Sequence, residues 1–402
     1  MMIVDLVFDI FNVILLSIMI GVLGTWIYFL AYTTRSFRKA PRLDATTNTR
    51  WPKVSVIVPA RNEERFINDC LTTIVTQNYS NYNIIAVDDS STDRTAHIIK
   101  EHSLQDKKIM FVEASPKPDG WVGKNWACYQ GYLRSDGDLL LFTDADTNYA
   151  KTVISSAVSK IVNEDLDALT LVPRLVCLDR WTKITLPFLS TFLHSRYSPL
   201  RVNDPSKRIG YFFGSFYLIK RNVYETIGTH SGVRNELVED GALGSRVKKS
   251  GYKLKMFRGE HLVSAIWARD FSSLWNGLGR LIIPLYRVNR FQAVAIFTVS
   301  FFLFLAPFII LPYSVFFLDN LIAKILFTVS GIACMLITAS GMVQARAGLK
   351  VNMLYALAAP LAAVIIAFGF LSGVVKAGAR KGVKWRDRDY VYSRYSSQGF
   401  TL

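Results

Sequence analysis

No Cys-x-x-Cys pair occurs in this chain: Cys70, Cys128, Cys177 and Cys334 stand far apart, and its five histidines have no metal-ligand spacing to them. That pattern disfavours a zinc site and a disulfide framework, and isolated reduced thiols suit a cytoplasmic domain. Gly-x-Gly-x-x-Gly is missing after the first polar-block strand, as is any Gly-Lys-Ser/Thr phosphate loop. Both absences argue against a dinucleotide fold or a P-loop NTPase. The formal charge is +16, yet no run of Lys and Arg is interleaved with aromatics on a nucleic-acid module, so no nucleic-acid partner is expected. Attraction to anionic headgroups of a membrane is the better reading of the charge.

Apolar residues, by contrast, are plentiful at 51% of the chain, and they are unevenly spread. Four stretches, roughly Val13 to Tyr32, Phe291 to Phe317, Ile322 to Val343 and Leu354 to Val375, are each near the ~20 residues a spanning helix needs. Met1 to Ile10 holds no Lys or Arg, and no small-x-small cleavage pattern follows, so the first stretch reads as an uncleaved anchor. Arg35, Arg38, Lys39 and Arg42 come directly after it, which places the polar block in the cytoplasm of a multi-pass membrane protein. The far end conflicts with this. Three further spans put the tail outside, whereas Lys376, Arg380, Lys381, Lys384, Arg386 and Arg388 argue that it stays inside. Either one late segment is re-entrant, or Phe291 to Phe317, which contains Pro307 and Pro312, is a hairpin. Ahead of it, Phe271, Leu274, Trp275, Leu278, Leu281, Ile282 and Leu285 fall on one helical face with Arg280 and Arg287 beside it, the pattern of an interfacial helix bent at Pro284.

Within the polar block, Lys53 to Pro59 predicts a parallel strand ending in the turn Ala60-Arg61-Asn62-Glu63-Glu64. Phe66, Ile67, Cys70, Leu71, Ile74 and Val75 recur at helical spacing. Asn83 to Val87, Ile109 to Val112 and Leu139 to Thr143 predict further strands, with Ser90 or Ser91 available to cap an intervening helix. Strand and helix alternating in this way imply a mostly parallel sheet. The last of these strands ends in Asp144-Ala145-Asp146. On extended chain i and i+2 share a direction, so both carboxylates reach one Mg²⁺ or Mn²⁺ ion; the plainer alternative is a strand-terminal turn.

From Val54 to Arg258 the chain resembles family 2 glycosyltransferases with the GT-A nucleotide-sugar fold. The likeness rests on Val56-Ile57-Val58-Pro59-Ala60-Arg61-Asn62-Glu63, Val87-Asp88-Asp89-Ser90-Ser91-Thr92-Asp93, Asp144-Ala145-Asp146 and Val238-Glu239-Asp240, in that order. Gly120-Trp121-Val122-Gly123-Lys124-Asn125-Trp126-Ala127 and the tail Gly382-Val383-Lys384-Trp385-Arg386-Asp387-Arg388-Asp389-Tyr390 bring it nearer to membrane-bound members that glycosylate lipids, such as the hopanoid-associated and carotenoid glycosyltransferases and ceramide glucosyltransferase. The Gln-x-x-Arg-Trp motif of processive polysaccharide synthases is absent; Phe271 to Leu278 stands in its place. Transfer of a single sugar is therefore expected.

The resemblance implies an α/β fold, a GT-A domain with a mostly parallel sheet, flanked by N-terminal and C-terminal transmembrane helices. Its divisions are an anchor at 1–34, a cytoplasmic catalytic domain at 35–270, the interfacial helix at 271–290, membrane helices at 291–376 and a basic tail at 377–402. Pro59, Arg61, Glu63, Asp89, Lys124 and Asp144 would line the donor site, with Asp89 accepting a nucleobase N–H. Asp144 and Asp146 would hold Mg²⁺ or Mn²⁺, and Asp240, beside Glu239, would be the catalytic base. Two roles stay open: Lys124 contacts diphosphate or is a solvated surface lysine, and Arg61 lies over the base or pairs with Glu63 or Glu64. Tyr211 to Ile219 resembles the acceptor-side strand and Gly-containing loop, and a buried aromatic strand is its alternative. The implied partners are a nucleotide sugar, first of all a UDP-sugar, and a lipid acceptor. A polyprenyl-phosphate acceptor and a catalytically silent membrane scaffold are the rival readings. A transporter is disfavoured because the apolar stretches lack interior charges.

Overall fold

The computed structural model describes residues 2–44, 51–317, 320–379, 383–385 and 388–390. The chain divides into two compact units, one made of Met1–Arg38, Cys177–Arg196 and Ala268–Ala379, the other of Lys39–Val176, Tyr197–Trp267 and Arg380–Leu402.

The second unit is built on a seven-stranded sheet: β1 (Val54–Ala60), β2 (Tyr82–Asp88), β3 (Ile109–Glu113), β4 (Leu139–Phe142), β5 (Ala168–Val172), β6 (Tyr217–Lys220) and β7 (Leu254–Arg258). Their spatial order is β3-β2-β1-β4-β6-β5-β7. All pairings are parallel except those of β6, which is antiparallel to both its neighbours. The inner strand β1 is buried along its whole length, and its side chains alternate between two cores. Val54, Val56 and Val58 pack with Cys70, Leu71 and Ile74 of the helix Ile67–Val75. Ile57 packs on the opposite face with Ala127 and Cys128 of the helix Gly123–Leu133 and with Leu243 and Val247 of the helix Glu239–Lys249. Helices on both faces explain why these strands read as unbroken apolar runs. After β1 the chain steps outward through β2 and β3 and then returns to lay β4 on the other side of β1. The winding thus reverses between β1 and β4, and their carboxyl ends are where an open α/β sheet takes its ligand.

Among the described residues of the first unit, four helical runs are long and apolar enough to cross a membrane: Asp9–Lys39, Arg290–Val315, Leu321–Leu349 and Met353–Gly378. The hairpin alternative for Phe291 to Phe317 does not occur, because α-helix to Ser300, a π turn at Phe301–Leu305 and α-helix from Ala306 follow without a break. Pro307 has no N–H to offer Leu303, four residues back. The indole Nε1 of Trp26 donates to that carbonyl instead, at 2.8 Å.

The apolar stripe of the helix Phe271–Val288 has a protein partner. Leu274, Leu278, Ile282 and Ile283 are buried, and the helix packs on Ala359–Gly378. A Cβ at Gly373 would lie 3.0 Å from the carbonyl oxygen of Gly279, so small residues let the two backbones meet. The side chains of Leu285 and Arg287 lie outside the described residues, as do Arg380, Lys381, Gly382, Arg386 and Asp387 of the tail. Val383–Trp385 and Arg388–Tyr390 pair as antiparallel strands.

Candidate active site

The loops that leave β1 and β2 are tied to one another. Asp89 N donates to Ala60 O at 2.8 Å. Glu63 N donates to Thr95 Oγ1 at 2.7 Å and Thr92 N to Asn62 Oδ1 at 2.9 Å. Both loops turn through left-handed residues, Asn62 at φ 53° and Ser90 at φ 56°, a conformation Asn adopts more readily than most residues. The helix Thr95–Gln105 is capped not by Ser90 or Ser91 but by Asp93, whose Oδ1 accepts from Thr95 N at 2.9 Å. Arg61 Nη1 donates to the main-chain oxygens of Asp89 and Ser90 at 2.5 and 2.7 Å, clamping the loop that carries Asp89.

Next to this edge, Lys124 Nζ bridges two carboxylates, Asp144 Oδ1 and Glu239 Oε1, each at 2.6 Å. Lys124 stands in the first turn of the helix Gly123–Leu133. Asn125 Nδ2 fastens that turn by donating to Val233 O and Glu236 O at 2.7 and 3.0 Å, just ahead of the helix that Glu239 opens. Burial works against the Lys124 ammonium, but Asp144, Glu239 and Asp240 outweigh it and hold its pKa well above the ordinary value. Lys124 therefore stays charged, and the surface-lysine reading falls.

Asp240 Oδ2 accepts from Gly214 N at 2.8 Å and its Oδ1 from Gly241 N at 2.8 Å. Burial, reinforced by the negative charge of Glu239, pushes its carboxyl up to about 7, with Lys124 opposing. Gly214 lies at the centre of the group. A Cβ on it would meet Asp240 Oδ2 at 2.9 Å, Lys124 Nζ at 3.0 Å and Asp144 Oδ2 at 3.1 Å. Tyr149 keeps this loop against the end of β4: its hydroxyl donates to Ser215 O at 2.7 Å and also meets Thr143 Oγ1.

Ala145 and Asp146 form a turn, not extended chain, so the shared direction expected of Asp144 and Asp146 does not follow from strand geometry. Asp146 is buried and Asp144 half-buried. Among the described residues no three His, Cys, Asp or Glu side chains converge as metal ligands. One or two carboxylates suit Mg²⁺ or Mn²⁺ all the same, since such an ion is commonly held by few protein oxygens and completed by substrate phosphates. Asp144 and Asp146 offer oxygen donors of that kind, and Asp144 Oδ2 lies beside Gly214.

Lys124, Asp144, Glu239 and Asp240 thus converge around Gly214, while Pro59 sits in β1 and Arg61, Glu63 and Asp89 form the neighbouring loop pair. Tyr211 to Gly214 is loop and β6 starts at Tyr217, so the segment holds both the loop and the strand expected of it; Phe212 is buried with its ring stacked on Tyr217 at 4.7 Å. Sequence reasoning passed over two contributors, Tyr149 and the partner of Asp89, which is Arg388 of the tail. The tail motif was the available signal for Arg388; Tyr149 left none.

Residues 55–228 match the family model described as glycosyl transferase family 2. A 4,4'-diaponeurosporenoate glycosyltransferase of Staphylococcus aureus is 26% identical over 251 residues, which is 60% of this chain and 64% of the relative. The match therefore spans less than two thirds of that relative's length. Among solved structures, a mannosyltransferase of Pyrobaculum calidifontis in complex with GDP-Man and Mn²⁺ aligns over 90% of this chain and 98% of its own, with a TM-score of 0.53 at 18% identity. The fold is GT-A.

Proposed function

We propose that this chain is a membrane-bound, inverting glycosyltransferase that moves one sugar from a nucleotide sugar, first of all a UDP-sugar, to a hydroxyl of a lipid acceptor. The observation that carries this reading is the Asp240 carboxylate, brought to about 7 and aimed by Gly214 N at a group containing Lys124 and Asp144. A base serves best when its pKa lies near the working pH. Asp240 takes the acceptor's hydroxyl proton as that oxygen bonds to the anomeric carbon. The bond from that carbon to the diphosphate breaks on the opposite face, and configuration inverts. Lys124 meets the charge that gathers on the departing diphosphate, and Glu239 keeps the ammonium in reach. A divalent ion held by Asp144 and Asp146 would add Lewis-acid stabilisation of that leaving group.

The staphylococcal relative is named for 4,4'-diaponeurosporenoate, and the four apolar helical runs suit an enzyme whose acceptor is lipid-like. The decisive experiment incubates the purified protein in detergent with its host's lipid extract, Mg²⁺ or Mn²⁺, and UDP-glucose, UDP-galactose, UDP-N-acetylglucosamine or GDP-mannose in turn. A donor-dependent glycolipid seen by mass spectrometry is the expected result. An acid-labile phosphodiester product would instead make the acceptor a polyprenyl phosphate, and no product from folded protein with any donor would favour the scaffold.

A further inference from the structure

Asp89 is buried, at 3% exposure, and a carboxylate so placed needs a charged partner to stay ionised. The partner comes from 299 positions further along the chain. Arg388 Nη2 donates to Asp89 Oδ1 at 3.1 Å while Nη1 donates to Oδ2, the two-pronged arrangement that fixes a carboxylate's orientation as well as its charge. Burial pushes the Asp89 carboxyl up, with Arg388 and then Arg61 pulling against it. Arg61 secures the same residue through its main-chain oxygen. Asp89 is thus gripped twice, and the tail strand Arg388–Tyr390 is fastened to the carboxyl end of β2.

We infer that Arg388 is a positioning residue that sets nucleobase specificity, by holding the Asp89 carboxylate as a fixed acceptor. The inference rests on the proposed contact of Asp89 with the base. A carboxylate has about four lone-pair sites, and the guanidinium fork uses one on each oxygen. The remainder can only accept. Uracil and guanine present a ring N–H to such a group, whereas cytosine presents a bare ring nitrogen at the corresponding place. Asp89, fixed and ionised, therefore favours UDP or GDP over CDP. Without the fork the carboxylate is free to rotate or to take up a proton, and it discriminates less.

The test titrates the full chain in detergent with UDP, GDP and CDP by calorimetry, comparing wild type with D89N, R388A and R388K. In R388A the preferred nucleotide should bind about tenfold more weakly or worse, the loss expected when a charge-assisted hydrogen bond goes. Its advantage over CDP should shrink by a similar factor, with kcat at saturating donor largely kept. R388K should fall between wild type and R388A, because an ammonium keeps the charge but not the fork. R388A that binds as wild type does, or more tightly, while D89N binds weakly, overturns the inference; tighter binding would mean that the tail shields Asp89 from the base. D89N with unchanged nucleotide preference removes the nucleobase role of Asp89 itself, and the inference with it. Should R388A fail to fold, a nucleotide preference in R388K equal to wild type is the overturning result.

Discussion

Gly214 N donates to Asp240 Oδ2 at 2.8 Å, and a methyl group added at residue 214 would press on that same oxygen from 2.9 Å. The methyl would also meet Lys124 Nζ and Asp144 Oδ2, so G214A displaces the proposed base, the proposed diphosphate cation and a proposed metal ligand at once. Displacement of about 1 Å at a reacting centre can cost roughly 100-fold. The expected result is that loss in kcat with a melting temperature close to wild type.

Asp240 acts only when ionised, so kcat/KM should rise with pH through a midpoint near the pKa of about 7. D240N should lose about 10²–10⁴-fold in turnover while calorimetry shows donor binding intact. Glu239 raises the Asp240 pKa and Lys124 lowers it. E239Q should therefore move the rising limb to lower pH. A limb that stayed in place would detach it from Asp240.

Removal of divalent ions by chelator should abolish transfer, and D146N should do the same with ions present. The independent readout is Mn²⁺ binding followed by electron paramagnetic resonance with UDP added. Both D144N and D146N should weaken it, because each removes one of the few protein oxygens available. Full transfer in excess chelator would leave Lys124 as the leaving-group cation.

Much of this was legible from the sequence where a pattern is local. β1, β2 and β4 announce themselves as apolar runs ending in polar turns, because strands buried on both faces have no other choice of side chain. The membrane-length helices are equally plain from composition. The short strands are harder. β6 has four residues and gains its place from antiparallel partners on β4 and β5, which no local periodicity encodes. For the site, Asp144, Glu239, Asp240 and Lys124 stood out through their motifs. Their convergence on Gly214 depends on how helix Gly123–Leu133 is pinned to the 233–236 loop, and the grip of Arg388 on Asp89 links positions that only the folded chain compares. The stripe on Phe271–Val288 showed a helix with an apolar face, but the partner for that face is read only from Gly279 against Gly373.

The carbonyl of Leu303 offers a separate test of the first unit. Pro307 removes its helical donor, and Trp26 supplies the replacement at 2.8 Å. W26F keeps a ring but not the N–H, and leaving a buried acceptor unsatisfied costs about 1–3 kcal/mol. Restoring a backbone N–H with P307A should make the indole bond dispensable. A double-mutant cycle in detergent melts checks this: W26F should lower the melting temperature less in the P307A background than alone, and equal losses would assign the effect to packing.

Arg388 and Asp89 are paired within one compact unit, so if the apolar runs cross a bilayer, the strand Arg388–Tyr390 and the catalytic sheet should share one side of it. The chain leaves that unit after Trp267 and is back in it at Val383, so the number of crossings between them should then be even. Three membrane-length runs lie in that interval. Either one of them stops short of crossing, or the helix Phe271–Val288 crosses as a fourth, and both cases reconcile the basic tail with the positive-inside rule. Single cysteines at Ser397 and at the exposed Leu104, in a background with the native cysteines replaced, distinguish this from an odd count. With a membrane-impermeant maleimide both should react only after cells are opened. Labelling of the Ser397 cysteine in intact cells, with the Leu104 cysteine protected, would put the tail on the opposite side and break the Arg388 pairing along with it.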